Sequence, residues 1–246
     1  MKLTTVIASV NNNPEYYQFI PKQISFWNHF GVRFLTIFVN DQIPDELSEY
    51  SNNIILWDKT TDLNPIYVAQ NIRMYYTAIL DLPENEMVML TDMDMLPCSD
   101  TYFKKGLEEF HTEDFIYYRN IDHENRQIYM CYNAAHPSIW AKCFGISNIS
   151  DIERQLYENY TPSYDGKPGY SGWFIDQEIL YRALKDYPHL KVLDRPIRRL
   201  ETWDYQRHLD SGDTGFYLQY DDAHFHRSYL SNRVFIEDAE QQLNSC

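Results

Sequence analysis

A short apolar run, Met87-Val88-Met89-Leu90, stops at two aspartates one residue apart, Asp92 and Asp94, and Pro97 closes the segment. Such a run, bounded by polar residues and a proline, reads as a buried strand. A strand that is apolar throughout needs cover on both faces. Residues i and i+2 of a strand share a face, so Asp92 and Asp94 are expected side by side where the chain leaves the core. Two carboxylates at such an edge repel each other unless a cation neutralises them. A hard divalent ion, Mg²⁺ or Mn²⁺, suits them, because it takes carboxylate oxygens and keeps sites for water and substrate phosphates. The pattern points to chemistry on a nucleoside diphosphate compound.

The neighbouring segments fit the same sheet. Residues 3–10, 34–39 and 53–57 are further apolar runs that read as strands. Between the first two, Phe19, Ile20, Ile24, Trp27 and Phe30 recur at helical spacing and Gly31 ends the helix. Residues 64–80 read as a helix with Ile66, Ala69, Ile72, Tyr76 and Ile79 on one face. This rhythm describes an α/β fold, a mostly parallel twisted sheet flanked by helices. Sheets of this kind bind ligands beyond the carboxyl ends of their strands. Ala8-Ser9-Val10-Asn11, Asn40-Asp41 and Asp92-Met93-Asp94 fall at such ends.

The second half is less regular. Residues 100–110 read as a short helix, 115–119 and 128–134 as strands, and 138–144 as a buried segment of unassigned type. Residues 157–171 read as a long tyrosine-bearing loop, suited to closing over a substrate. A helix over 173–187 follows, then an Asp-, His- and aromatic-rich tail over 200–227 and a polar C-terminal helix. The chain of 246 residues suits one domain over 1–246. It divides into a nucleotide-binding half (1–97), a smaller mixed acceptor-side region (98–230) and a C-terminal helix or tail (231–246).

Charge excludes some partners. A net charge of -15 argues against nucleic acid, whose phosphates need a basic face, and against electrostatic attachment to anionic lipid. No apolar run approaches the roughly 20 residues of a membrane-spanning helix, so no integral membrane segment is expected. The four cysteines, Cys98, Cys131, Cys143 and Cys246, form no C-x-x-C pair. The N-terminal residues 1–10 fit a first strand better than a signal peptide, so the expected setting is reduced and cytoplasmic.

Three further constellations carry chemistry. Trp173-Phe174-Ile175-Asp176-Gln177 opens a helix, where Asp176 is either a helix cap or a pocket carboxylate that binds an acceptor hydroxyl or acts as a base. Gln177 can then hydrogen-bond a sugar. In Asp222-Ala223-His224-Phe225-His226-Arg227, the histidines lie two residues apart and point one way on an extended segment. Either can complete the metal shell, and Arg227 can neutralise a diphosphate. Arg73, on the helix before the aspartate strand, can reach phosphates or brace Asp92 or Asp94 by a charge-assisted bond.

Taken together, these motifs resemble the GT-A fold of metal-dependent nucleotide-sugar glycosyltransferases of the D-x-D type. The resemblance spans about residues 3–227 and rests on Ala8-Ser9-Val10-Asn11, Arg73, Asp92-Met93-Asp94, Trp173-x-x-Asp176-Gln177 and His224-x-His226. It implies that Ala8, Ser9, Asn11 and Asp41 hold the nucleoside. It also implies that Asp94 binds Mn²⁺ or Mg²⁺, that Asp92 touches ribose or metal, and that His224 or His226 closes the metal site. Asp176 would be catalytic, with Trp173 and Gln177 on the sugar or acceptor, and Arg73 and Arg227 near the diphosphate. The implied donor is a UDP-sugar ahead of a GDP-sugar, and the acceptor a glycan or other hydroxyl.

The Asp176-Gln177 pair is similar to that of retaining members of the glycogenin and galactosyltransferase type, which follow their late histidine with a glycine and a lysine. Here His226-Arg227-Ser228 stands instead, which leaves the stereochemical class open. A nucleotidyltransferase could share the sheet, but it carries a glycine-rich basic loop after the first strand, and Asn11-Asn12-Asn13-Pro14 is neither. An inactive carbohydrate- or metal-binding module would not need the aspartates, Arg73 and the histidines together.

Overall fold

The structure, a computed structural model, describes residues 1–119, 121–167, 169–170, 172–193, 195–211, 216–226 and 228–244. Its strands are β1 (Lys2–Asn11), β2 (Arg33–Val39), β3 (Ile54–Trp57), β4 (Glu86–Leu90), β5 (Met95–Pro97), β6 (Phe115–Tyr117), β7 (Ile121–Asp122), β8 (Gln127–Ile128), β9 (Asn133–Ala135), β10 (Leu190–Val192), β11 (Arg199–Glu201) and β12 (Asp222–His224). Seven of them form the central sheet in the order β10-β6-β9-β4-β1-β2-β3. β9 runs against its neighbours β4 and β6, and the other pairings are parallel. A second sheet has the order β11-β12-β5.

Strand periodicity divides the core in two. Val6, Ala8, Val10, Phe34, Phe38, Met87 and Met89 enter one buried cluster; Ile7, Leu35, Ile37, Val39, Val88 and Leu90 enter the other. Alternate residues of a strand face opposite ways, so both faces of the sheet are covered. That is why these strands are apolar throughout instead of alternating. At roughly 25 cal/mol per Å² of apolar surface buried, such double-sided strands contribute far more than their length suggests.

Helices Ile20–His29 and Pro65–Tyr76 pack on the sheet. The second starts where a helix should. The Asn64 side chain accepts the Ile66 N–H at 2.9 Å, and Pro65 occupies the first turn. Its buried surface is wider than the expected face. Tyr67, Val68, Ala69, Asn71, Ile72, Arg73, Met74 and Tyr75 are all buried, while Ile66 is exposed.

Residues 138–144 fall within helix Pro137–Phe144, which ends at Gly145 in the left-handed region (φ 62°). The expected strand over 128–134 is interrupted, because Tyr132 takes φ 64° and separates β8 from β9. Tyr157 belongs to helix Ile149–Asn159 and not to the loop after it. That loop is anchored rather than loose: Tyr164 is buried and donates to Gln70 Oε1 at 2.8 Å. Gly172, at φ 82°, lets the chain pass over Tyr164, since a Cβ there would sit 2.5 Å from the ring.

Candidate active site

The aspartate pair does not continue β4. The strand ends at Leu90, Thr91 and Asp92 are irregular, and Met93 and Asp94 form a turn into β5. The cause lies far away in sequence. Gln23, fully buried on helix Ile20–His29, donates from Nε2 to the carbonyls of Asp92 (3.2 Å), Met93 (2.8 Å) and Met95 (2.8 Å). Its Oε1 is held by Trp27 Nε1 at 2.9 Å. The turn gives the two carboxylates different partners, which corrects the same-face arrangement expected of a strand.

Asp92 turns toward Arg73. Its Oδ1 lies 2.5 Å from Arg73 Nη1, which also donates to the Thr91 carbonyl at 2.6 Å. Arg73 Nη2 is 3.5 Å from Asp176 Oδ2. One buried guanidinium thus stands between two carboxylates. Burial works against the Asp92 charge, but adjacent Arg73 outweighs it and holds that carboxyl below the usual range. For Asp176 burial wins: its carboxyl is pushed up to about 7, with Asp92 adding to the rise and Arg73 opposing it. Asp176 sits in the first turn of helix Ile175–Leu184, where its Oδ1 accepts from Gln177 N (2.9 Å) and Gln70 Nε2 (3.2 Å).

Asp94 turns the other way. β12 pairs antiparallel with β5, setting His224 opposite Met95, and Phe225 N donates to the Asp94 carbonyl at 3.0 Å. His224 Nε2 consequently faces Asp94 Oδ2 at 3.6 Å, beyond hydrogen-bond reach. β11 pairs with β12 in a register that sets Glu201 opposite His224. Glu201 Oε2 lies 3.3 Å from His224 Nδ1 and 2.8 Å from His226 Nε2. The two imidazoles lie side by side, 3.7 Å between centroids, and Trp203 stacks on His226. Burial opposes protonation of His224, but Asp94 and Glu201 outweigh it and raise its pKa. Among the described residues, the ligand atoms that lie close enough together to share an ion are those of Glu201, His224 and His226, with Asp94 facing His224 across 3.6 Å; carboxylate oxygens with imidazole nitrogen suit Mn²⁺ somewhat better than Mg²⁺.

These groups share one cleft of about 710 Å³ at the carboxyl edge of the sheet. Ser9, Asn11, Arg73, Asp92, Asp94, Trp173, Asp176, Gln177, His224 and His226 all line it. Ala8 and Asp41 do not: Ala8 is fully buried beneath the edge, and Asp41 is exposed on the bend after β2. The Ser9 hydroxyl donates to the Ala69 carbonyl and ties β1 to the helix that carries Arg73. Arg227 lies outside the described residues. Sequence reasoning passed over Glu201, Gln23 and Arg199, and gave Gln70, three residues before Arg73, no role of its own. Arg199 also lines the cleft, as the cross-strand partner of buried Asp222, at 2.5 Å.

No protein-family model matches this chain, and no curated protein sequence does. Solved structures do. The glycosyltransferase GlyE of Streptococcus pneumoniae TIGR4 is similar over 98% of this chain and 63% of its own, at 13% identity and a TM-score of 0.55. Its apo form gives 98%, 62%, 13% and 0.53. The galactosyltransferase LgtC, in complex with donor and acceptor sugar analogues, is aligned over 98% of this chain and 96% of its own at 10% identity, but its TM-score of 0.49 adds no argument. The chain has the mostly parallel α/β architecture of GT-A glycosyltransferases, and it spans less than two thirds of the GlyE chain. Among the described residues, no helix is long and apolar enough to cross a membrane.

Proposed function

We propose that this chain is a metal-dependent glycosyltransferase that moves a sugar from a nucleoside diphosphate donor, a UDP-sugar ahead of a GDP-sugar, to a hydroxyl of a glycan or other acceptor. The observation that carries this reading is the convergence, in one cleft, of the Arg73-braced Asp92 and Asp176 with the opposed Asp94 and His224. Asp94, His224 and the outer oxygen of Asp92 would hold Mn²⁺. When bound, the ion supplies Lewis-acid neutralisation of the departing diphosphate.

The remaining roles belong to side chains. Arg73 fixes the Asp92 carboxylate, so that one oxygen is committed inward and the other is left to the ligand. Glu201 stands 3.3 Å from His224 Nδ1 and is hydrogen-bonded to His226 Nε2, so it backs the imidazole whose Nε2 faces Asp94. Ser9 and Asn11 border the nucleoside end. Asp176 lies on the sugar side. Ionised, it supports positive charge at the transferred carbon or takes the proton of the acceptor hydroxyl. Gln177 Oε1 is buried without a hydrogen-bond partner, and an unpaired buried acceptor costs about 1–3 kcal/mol. A sugar hydroxyl donating to it would recover that cost.

The test is nucleotide release from a panel of UDP- and GDP-sugars with and without Mn²⁺. We expect slow, Mn²⁺-dependent release from at least one donor. Release that does not depend on Mn²⁺, or that persists in Asp94→Ala, overturns the proposal. So does the absence of any release together with no Mn²⁺-dependent binding of UDP or GDP by calorimetry.

A further inference from the structure

Three guanidinium groups reach the wall of the cleft, those of Arg73, Arg119 and Arg199. Two are neutralised inside the protein. Arg73 is bound to Asp92 and faces Asp176, and Arg199 is bound to Asp222. Arg119 differs. Its described contacts are the Cys131 sulfur, to which Nη1 donates at 3.3 Å, and the Tyr129 ring, with its guanidinium carbon 4.8 Å from the centroid. Neither carries a countercharge. Burial pushes the Cys131 thiol up, with Asp92 adding to the rise, and an aromatic face offers only a quadrupole. Both partners orient the guanidinium without forming an ion pair, and Asp222, already bound by Arg199, acts on it only through space.

This arrangement stands out in a chain of net charge -15 whose cleft is also lined by Asp92, Asp94 and Asp176. Among the described residues, Arg119 makes an ion pair with none of them. The Tyr129 face and the Cys131 sulfur hold it in its own place.

The sheet order says where that place is. Arg119 follows β6, and the order β6-β9-β4-β1-β2 puts it on the opposite side of the aspartate turn from the ends of β1 and β2. Two strand spacings separate β6 from β4, about 10 Å. The nucleoside end, at Ser9 and Asn11, lies past β4 in the other direction. Arg119 is therefore on the acceptor side, beside the flat face of Tyr129 and the apolar side chain of Met130. An aromatic face next to a guanidinium held by no ion pair among the described residues matches a sugar ring bearing a carboxylate or phosphoryl group, which the planar fork can grip bidentately.

We propose that Arg119 binds a carboxylate or phosphoryl group carried by a sugar, so that this chain acts on an acidic saccharide. The assignment rests on the glycosyltransferase reading and extends it to a substrate class. Two sources share the chemistry, the acceptor sugar and the transferred sugar of the donor, and the position of Arg119 favours the acceptor.

The first arm of the test is binding of glucose, glucuronic acid and glucose 6-phosphate, by calorimetry and saturation-transfer NMR, with and without saturating UDP and Mn²⁺. Charge-assisted bonds predict that the acidic sugars bind about 10- to 100-fold tighter than glucose. Arg119→Gln should remove that preference and Arg119→Lys should keep part of it, with glucose binding and the Mn²⁺-UDP affinity the same in all three proteins. The second arm compares hydrolysis of UDP-glucuronic acid and UDP-glucose. A preference confined to the free sugars assigns the anion to the acceptor; an Arg119-dependent preference among donors assigns it to the transferred sugar.

Equal binding of acidic and neutral sugars by the wild type in both arms overturns the proposal, as does a preference that survives Arg119→Gln. Should Arg119→Gln fail to fold, Tyr129→Leu takes its place; it leaves the charge but removes its platform, and it should cut the preference. Failure of the glycosyltransferase reading would show separately, as absence of Mn²⁺-dependent UDP binding, and the free-sugar arm without nucleotide would still judge Arg119.

Discussion

At one end of the cleft floor, both terminal nitrogens of Arg73 are engaged: Nη1 with Asp92 at 2.5 Å and the Thr91 carbonyl at 2.6 Å, and Nη2 toward Asp176 at 3.5 Å. At the other end, Asp94, His224 and Glu201 face one another across 3.6 and 3.3 Å, and among the described residues no lysine or arginine pairs with either carboxylate. Both ends carry two carboxylates. One end has its cation built in, and the other has two imidazoles. The difference separates a frame from a receptor. A buried arginine fixes geometry at the cost of being irreplaceable, whereas carboxylates beside imidazoles leave room for the incoming ion that the proposed function calls for.

Asp94→Ala tests that division most severely. It should lower Mn²⁺-dependent nucleotide release by about 1,000-fold or more, with the circular dichroism spectrum and melting temperature unchanged. Turnover near the wild-type rate would show that the open end is not the receptor.

Arg73→Met probes the frame and should act on stability. It leaves two inward-facing carboxyl groups without a cation, so urea unfolding should show a loss of about 3–5 kcal/mol, part of it recovered by adding Asp92→Asn. A loss near zero would mean that the guanidinium supports nothing.

Glu201→Gln sharpens the contrast. The fold should survive while Mn²⁺ affinity, read by calorimetry or electron paramagnetic resonance, falls about 10- to 100-fold as His224 and His226 lose the carboxylate charge beside them. His226→Ala should do less, because that ring faces Glu201 and Trp203 instead of Asp94.

The smallest effect concerns pH. Burial holds the Asp176 carboxyl near 7, while an unfolded aspartate titrates near 4. The folded chain therefore keeps a proton that the unfolded chain has released. This contribution is fully present below about pH 4 and is lost as pH rises through about 7. Relative to Asp176→Asn, the wild-type melting temperature should fall as pH rises from about 5 to about 8. A difference that stays flat would put the carboxyl outside the frame.

The half of the molecule before Pro97 was the more legible. β1, β2, β3 and β4 lie within a residue or two of the apolar runs that announced them, because strands buried on both faces are built mostly of apolar residues, with Thr5 and Thr36 as buried exceptions. The site was legible as a set of residue types, since Asp92, Asp94, Arg73, Asp176, Gln177 and His224 do line one cleft. Its geometry was not. The carboxylates diverge because Gln23, about seventy positions earlier, draws three carbonyls of the turn toward one amide. Glu201 has no motif, and its position follows only from the register of β11 with β12. Ala8 and Asp41 sit next to the right strand ends, but one is under the edge and the other beyond it. Helix Ile149–Asn159 went unread although Ile152 and Leu156 bury one of its faces, since its surroundings are too polar to draw notice.

The pairing of β5 with β12 has a consequence for how the protein is made. Asp94 and His224 are separated by 130 positions (224 minus 94), yet they meet through adjacent strands. Closing a loop of that length carries an entropic cost that only the late contacts offset. During vectorial synthesis the Arg73 frame can assemble while β11 and β12 are still missing. A nascent chain would then hold a folded nucleoside end without metal affinity, and that affinity would arise only after residue 226 has cleared the ribosome. Metal capture would report the completion of folding, and a chain interrupted before β12 would be silent toward the ion.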